Sequence, residues 1–251
     1  MDLNRRGFFP LGGGNVSVVI PGLKKGEYLR PVTLVERGHV KRIRGICYSC
    51  IKHGQSTDVP LLMKHSVISA FTKLVSTQSS LTPLQKEITA LLITPEPFDI
   101  ETISINGVCD KTLGSGSGIL LWAETDTGCV IASDALGDEV PKKDRRKING
   151  NGKRFNKFKK KRESDGSESR RNPMEVVVEV VADKAVERLL KELEHGGCVD
   201  EYMQDQLIIF SALAKGKSII TTGPISLHTR CVHFLIMYQM STMEIDNATS
   251  I

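Results

Sequence analysis

The sequence predicts an α+β protein in which helices and strands alternate in two stretches of the chain. Two observations support this class: apolar residues recur at helical spacing in some segments, and β-branched runs bounded by turn residues occur in others. The chain has 251 residues, of which 40% are apolar and 25% charged, so a sizeable core can form. Its length suits one large domain or two modest ones.

Seven elements are expected in the first part of the chain. They are strands over 15–20 and 40–51, helices over 59–76 and 82–92, and strands over 102–108, 118–124 and 129–133. Apolar residues at helical spacing define the first helix, and Pro83 falls in the first turn of the second, where a backbone N–H is not needed. The turn Asp126-Thr127-Gly128 joins the last two strands. Residues 36–137 are therefore predicted to form a compact α+β unit.

The stretch 138–173 differs from the rest of the chain in its charge. Between Lys142 and Arg171 there are 14 Lys and Arg against 4 Asp and Glu, a net of +10, which leaves −5 for the remainder. The stretch is rich in Gly, Asn and Ser and has no helical or strand period, so a solvated, disordered insertion is expected. Three roles stay open for it: a tolerated loop insertion, a nuclear address recognised by the import machinery, or a contact with RNA phosphates.

The last part of the chain, 174–251, is predicted to form a second α/β layer. Its elements are helices over 174–194 and 199–214, a short strand over 217–222, a third helix over 227–240 and a frayed tail over 241–251. Glycines at 196 and 197 end the first helix. Asp200 and Glu201 stand in the first turn of the second helix, where the helix dipole favours acidic side chains.

Helix 199–214 carries a candidate ligand site. Tyr202, Asp205 and Gln206 form a polar stripe that is separate from an apolar stripe of Met203, Leu207, Phe210 and Ala214. A phenol, a carboxylate and an amide on one stripe could order a ligand. An ordinary solvated face has the same pattern, so spacing alone leaves both alternatives open.

His228 is a second candidate, at the predicted start of the third helix. Free N–H groups and the dipole at a helix start favour anions. A histidine in this position is suited to attack a phosphorus atom and form a phosphoramidate. A packed or capping histidine is the alternative that remains open.

Cysteine and glycine patterns indicate no further site. Cys47 and Cys50 have C-x-x-C spacing near His53, but a strand directs the two thiols to opposite faces, which favours structural cysteines over a metal or redox site. The glycine-serine run 114–118 precedes a strand and lacks a following Lys-Ser/Thr, which excludes a Walker or Rossmann loop and favours a flexible turn. No disulfide framework, secretory signal or membrane-length apolar run is found, so an intracellular, reducing compartment is expected.

Several long blocks resemble the RNA 3'-terminal phosphate cyclase family. In the family's order they are RRGFFPLGGGNVSV (5–18), PVTLVERGHVKRIRG (31–45), GSGSGILLWAETDTGCVIASDALG (114–137), HGGCVDEYMQDQLIIFSALAKG (195–216) and TGPISLHT (222–229). They cover most of the chain outside 140–173. The similarity is specific because it extends over several long blocks.

The resemblance implies an ATP-dependent, ligase-like enzyme that converts an RNA 3'-phosphate to a 2',3'-cyclic phosphate. In the family a histidine is adenylated, AMP passes to the RNA 3'-phosphate, and the neighbouring 2'-hydroxyl displaces it. His228 matches the nucleophile, and Tyr202, Asp205 and Gln206 match ATP-contacting positions. The implied cofactors and partners are ATP, a divalent metal ion (Mg²⁺ or Mn²⁺) and RNA 3' ends, without a membrane. A location in the nucleoplasm is expected, with the cytoplasm as a second compartment.

The resemblance also implies an architecture, a large domain of βαβ-type repeats with a smaller inserted α+β domain. On this basis 1–35 and 174–251 belong to the large domain, 36–137 to the inserted domain and 138–173 to the basic insertion. The family's chain continues upstream of Met1 with further ATP and RNA contacts, and this chain is expected to stop near 245–251, before the family's closing strand. An incomplete large domain and low activity are therefore expected.

Two other functions stay open. KRIRGICYS (41–49) is somewhat similar to the cyclase-like proteins of ribosome biogenesis, which are non-catalytic pre-rRNA processing factors. The blocks around Asp205 and His228 favour the catalytic branch, because the non-catalytic branch is expected to lack both. A chain that only binds nucleic acid through 142–171 is the remaining alternative.

Overall fold

A computed structural model describes residues 2–5, 15–19, 29–51, 58–76, 81–106, 116–137 and 173–236. The strands are β1 (Asp2–Arg5), β2 (Asn15–Ser17), β3 (Thr33–Leu34), β4 (Val40–Ile51), β5 (Phe98–Asn106), β6 (Gly116–Thr125), β7 (Val130–Leu136) and β8 (Ile219–Ile220). The helices are α1 (Val59–Ser76), α2 (Pro83–Leu92), α3 (Pro173–Glu194), α4 (Glu201–Leu213) and α5 over 227–236. The predicted α+β class is confirmed.

A four-stranded mixed sheet of order β5–β4–β6–β7 forms the centre of the first unit. β4 pairs in parallel with β5 and antiparallel with β6, and β7 is antiparallel to β6. Side chains alternate between the two faces of each strand. In β6 this alternation buries Ile119, Leu121 and Ala123. One face of the sheet therefore belongs to the core.

Helices α1, α2 and α3 contribute to one hydrophobic cluster with this buried face. Phe71 of α1, Ile88 of α2 and Leu189 of α3 belong to the same cluster as Leu121 of the sheet. Burial of each large apolar side chain contributes about 1.5–3 kcal/mol. Packing on the sheet is therefore the main source of stability for these helices.

Helix α3 shares this core although the sequence places it in another domain. Val181, Ala185 and Leu189 are fully buried, and α3 packs against α1, β6 and β7. The Ser133 hydroxyl in β7 donates a hydrogen bond to the Ala185 carbonyl at 2.8 Å. The division into domains stays a prediction, but a boundary between 137 and 174 would separate segments that share one core.

A short parallel pair connects the segment before β4 to the segment after α4. β3 pairs with β8, and Leu29 forms an isolated bridge with Ala214. The backbone N–H of Val32 donates to Ser218 Oγ at 3.1 Å. The two segments that the family resemblance assigns to the large domain are therefore in contact.

The helices and strand β4 (Val40–Ile51) agree closely with expectation, whereas β5 and β6 differ from it at their starts. Helix α1 has the predicted bounds, and α2 begins at Pro83 with a capping box between Thr82 and Gln85. β5 begins at Phe98, earlier than expected. β6 begins at Gly116, so its first residues lie in a strand rather than in the expected flexible turn. The bonds of a sheet ladder override the local flexibility of a Gly-Ser run.

Some expectations concern residues outside the described ranges. These are the glycines at 12–14, His53, the start of the run at 114–115, the basic insertion up to residue 172, the end of the third helix after 236 and the tail 241–251. In the part of the chain that is described, no helix has the length and apolar character needed to cross a membrane.

Candidate active site

Helix α4 carries three of the predicted site residues, and Asp200 caps its first turn. Asp200 Oδ1 accepts hydrogen bonds from the backbone N–H groups of Tyr202 and Met203, at 3.2 and 3.0 Å. Its Oδ2 accepts one from the backbone N–H of Ala132 in β7 at 3.0 Å. Because Asp200 is buried, water competes little for these bonds. The cap therefore ties the start of α4 to the edge of the central sheet.

Helix α5 carries His228 in its first turn. The Ser226 hydroxyl oxygen accepts a hydrogen bond from the backbone N–H of Thr229 at 3.1 Å, which is an N-cap arrangement. The predicted position of His228 at a helix start is therefore confirmed. The dipole and the N–H groups of a helix start favour an anion next to the imidazole.

His228 and Asp205 are directly paired. Nδ1 of His228 lies 2.5 Å from Oδ2 of Asp205. The His228 side chain is 77% exposed, whereas that of Asp205 is 18% exposed. An ionised carboxylate can only accept, so a neutral imidazole in this position carries its proton on Nδ1 and leaves the Nε2 lone pair free. The structure therefore joins two of the predicted residues in an arrangement suited to nucleophilic attack by Nε2.

Tyr202 and Gln206 lie on α4 within about one turn of Asp205. The Gln206 side-chain amide donates to the Tyr202 carbonyl oxygen at 3.1 Å. The Tyr202 side chain lines a cavity of about 120 Å³ between α4, β7 and α3. Partial burial raises the pKa of its phenol, and the negative charges of Asp134 and Glu201 raise it further. The phenol therefore stays protonated at neutral pH and can donate a hydrogen bond.

Gln204 is a residue of this site that the sequence did not single out. It is the buried residue of α4, with 4% of its surface exposed. Its Nε2 donates to the Pro224 carbonyl at 3.3 Å. Its Oε1 accepts from the Ser226 backbone N–H at 3.3 Å and from the Thr229 hydroxyl at 3.2 Å. A glutamine between two stripes has no periodic signal, so only its place beside Asp205 could have indicated a role.

The apolar stripe predicted on α4 is largely open to solvent. Met203 and Phe210 are exposed, and so are Leu227 and Phe234 on α5. Large apolar side chains gathered on exposed helix faces are typical of surfaces that pack against other protein segments. The helical period therefore predicted the apolar stripe of α4 correctly, but the residue of α4 that the described structure buries is Gln204, which lies outside that stripe.

The described residues contain no group of three or more His, Cys, Asp or Glu side chains that could hold a metal ion. Cys47 and Cys50 are both buried in β4. Burial raises the pKa of Cys47 to about 12. A thiol that holds its proton so firmly is a poor metal ligand and a poor nucleophile. The divalent metal ion expected with ATP stays a proposal.

The chain is similar in sequence to one protein family and to several known proteins. The sequence matches the family model for RNA 3'-terminal phosphate cyclase over residues 1–246. It is 33% identical over 230 residues to a probable RNA 3'-terminal phosphate cyclase of Dictyostelium discoideum, covering 92% of this chain and 40% of that protein.

Two further relatives are similar to this chain over nearly all of its length. The RNA 3'-terminal phosphate cyclase of Methanopyrus kandleri is 28% identical over 228 residues, which cover 91% of this chain and 48% of the relative. That of Pyrobaculum aerophilum is 26% identical over 248 residues, which cover 97% and 53%. The chain spans about half the length of the curated relatives it matches.

Proposed function

This chain belongs to the RNA 3'-terminal phosphate cyclase family, and we propose that its site takes part in the ATP-dependent conversion of an RNA 3'-phosphate to a 2',3'-cyclic phosphate. The observation that supports this function best is the pair of His228 and Asp205, with 2.5 Å between Nδ1 and Oδ2 and an exposed imidazole. Tyr202 and Gln206, on the same helix as Asp205, are the proposed contacts for ATP.

The first proposed step is adenylation of His228. Nε2 attacks the α-phosphorus of ATP, the P–N bond forms, and the bond from that phosphorus to the α,β-bridging oxygen breaks. Pyrophosphate leaves with the electron pair of the broken bond. The imidazole gains positive charge as the P–N bond forms, and the Asp205 carboxylate at Nδ1 stabilises that charge. The product is AMP attached to His228 as a phosphoramidate.

The next two proposed steps return the histidine to its starting state. An oxygen of the RNA 3'-phosphate attacks the AMP phosphorus, the P–N bond breaks, and Nε2 recovers its lone pair. The 2'-hydroxyl of the terminal ribose then attacks the 3'-phosphorus, loses its proton to water, and the bond from that phosphorus to AMP breaks, which releases AMP and leaves the 2',3'-cyclic phosphate. A divalent ion bound to the ATP phosphates would neutralise charge on the departing pyrophosphate.

A non-catalytic role in ribosome biogenesis is the competing function. The similarity that suggested it falls on β4, where Ile43, Gly45 and Cys47 are buried against the core. Packing in the core is a sufficient reason for the apolar residues of this block. A paired histidine with a free Nε2 is instead suited to nucleotide transfer, and a non-catalytic factor would not form a covalent AMP adduct.

Labelling with ATP that carries ³²P at the α-phosphate tests the proposed function. Because the chain spans about half the length of its relatives, residues 1–236 should also be placed in a chimaera, where they replace the matching segment of the Methanopyrus kandleri protein. We expect acid-labile, base-stable label on the chimaera and little or none on the 251-residue chain alone.

His228→Asn is the matched variant of the chimaera for this test. It should remove the label and the formation of cyclic phosphate on an RNA 3'-phosphate, while the circular dichroism spectrum stays unchanged. Label that persists in His228→Asn would overturn the assignment of the nucleophile. A folded chimaera that never labels would favour the non-catalytic alternative.

A further inference from the structure

Gln204 lies buried between the two helices that carry the His228–Asp205 pair. We propose that Gln204 is a positioning residue: its side-chain amide holds the start of α5 against α4, so that His228 meets Asp205 through Nδ1 and keeps Nε2 free. The catalytic value of this arrangement rests on the proposed function. The positioning itself rests on the contacts alone.

Both ends of the Gln204 amide bind the short segment that leads into α5. Nε2 donates to the Pro224 carbonyl at 3.3 Å, before the helix begins. Oε1 accepts from the Ser226 backbone N–H at 3.3 Å and from the Thr229 hydroxyl at 3.2 Å. Contacts to three different residues restrict both the translation and the rotation of α5 relative to α4.

The partners of Gln204 are themselves held in place. Ser226 Oγ and Thr229 Oγ1 lie 2.8 Å apart, and Ser226 Oγ accepts from the Thr229 backbone N–H. If the Thr229 hydroxyl donates to Gln204, the Ser226 hydroxyl is the donor to Thr229, and each hydroxyl has one donor and one acceptor role. Thr229 is buried, like Gln204, so the hydrogen bond between these two side chains is shielded from water.

The contacts of Gln204 also fix the position of the His228 imidazole, because the contacting residues are next to the paired ones in the sequence. Asp205 follows Gln204 on α4, and His228 precedes Thr229 on α5, so fixing the 204–229 contact also sets where the neighbouring side chains emerge. The His228–Asp205 bond is not suited to this task, because water competes for an imidazole that is 77% exposed. The buried Gln204 amide therefore positions α5 against α4, and the exposed His228–Asp205 pair stays available for reaction.

The tautomer of the His228 imidazole distinguishes a positioning role of Gln204 from a merely structural one, because a structural role alone would not change which ring nitrogen carries the proton. Long-range ¹H–¹⁵N spectra of the 251-residue chain distinguish Nδ1–H from Nε2–H, and the His228→Asn spectrum identifies His228 among the six histidines. At alkaline pH we expect the wild type to show Nδ1–H. Gln204→Met keeps length and volume but removes all three bonds, so its His228 should shift to the Nε2–H form that solvent-exposed histidines favour.

Gln206→Met is the matched control, because it makes the same change on the same helix at an exposed side chain that bonds to the Tyr202 carbonyl. It should keep the Nδ1–H signature. A folded Gln204→Met protein that retains the signature, or equal loss in both variants, would overturn the proposal. If Gln204→Met does not fold, Thr229→Val carries the test by removing one of the three bonds. A full Nδ1–H signature in Thr229→Val would then overturn it.

Labelling of the chimaera separates this inference from the proposed function. Gln204→Met should lower the rate of labelling at saturating ATP, on the order of 10–100-fold, while the ATP concentration for half-maximal rate stays unchanged. A tautomer that changes in a chimaera that never labels supports positioning and contradicts the proposed function. Labelling at the wild-type rate despite a changed tautomer contradicts the role of Gln204 and leaves the function intact.

Discussion

At the scale of single residues, His228 and Asp205 combine an exposed imidazole with a shielded carboxylate. Exposed pairs of this kind contribute about 0–1 kcal/mol to stability. In the proposed function their contribution to reactivity is larger, because Asp205 would select the protonated nitrogen and stabilise charge that develops only during attack. Changes at this pair should therefore separate activity from stability.

Asp205→Asn is expected to show this separation in the chimaera. The carboxamide keeps the shape of the carboxylate but loses its charge, so the rate of AMP labelling should fall on the order of 10²–10⁴-fold. The free energy of unfolding should change by less than about 1 kcal/mol. Asp183→Asn on the exposed surface of α3 is the matched control. Equal labelling by both variants would show that Asp205 does not assist the histidine.

Cys47 gives an expected pH dependence of stability. Burial raises its pKa from 9.0 to about 12, so the folded protein keeps the thiol proton at a pH where the unfolded chain releases it. The resulting stabilisation is fully present below about pH 9 and is lost as the pH rises toward 12. Urea unfolding at increasing pH should show a decline that is less steep in Cys47→Ala. An unchanged slope would contradict the burial of this thiol.

At the scale of elements, the cap of α4 connects the site to the sheet. Asp200→Ala removes two cap bonds and leaves the Ala132 N–H without its acceptor, so the free energy of unfolding should fall by about 2 kcal/mol or more. Thr82→Ala removes an exposed cap from α2 and should cost about 1 kcal/mol. Urea denaturation measures both. Equal losses would show that the bond between Asp200 and β7 adds nothing.

The elements also show what the sequence can predict. Helix α1 and the start of α2 follow from local signals, namely the apolar period and Pro83, and both were predicted, whereas the capping box between Thr82 and Gln85 was not. His228 was predicted at a helix start, and the structure has it there. The contact between Asp205 and His228 could not be predicted from spacing, because it joins residues on different helices. The role of Gln204 depends on the same tertiary contact.

At the scale of the whole molecule, the described structure unites the central sheet with α3. Leu189→Ala should lower the free energy of unfolding by about 2–5 kcal/mol, because it opens a cavity in the shared core. Trp122 in β6 is the single tryptophan of the chain, so its fluorescence reports on the sheet. The fluorescence transition should shift with the mutation in α3. A sheet transition that stays in place would show that α3 unfolds separately.

The central claim is that His228 is the residue that carries AMP. The most direct measurement is mass spectrometry of the chimaera after incubation with ATP and tryptic digestion under mildly alkaline conditions. Cleavage after Lys217 and Arg230 yields the peptide 218–230, in which His228 is the one histidine. We expect the mass of AMP on this peptide and its absence in His228→Asn. An AMP adduct on any other peptide, including the one that contains His233, would contradict the claim.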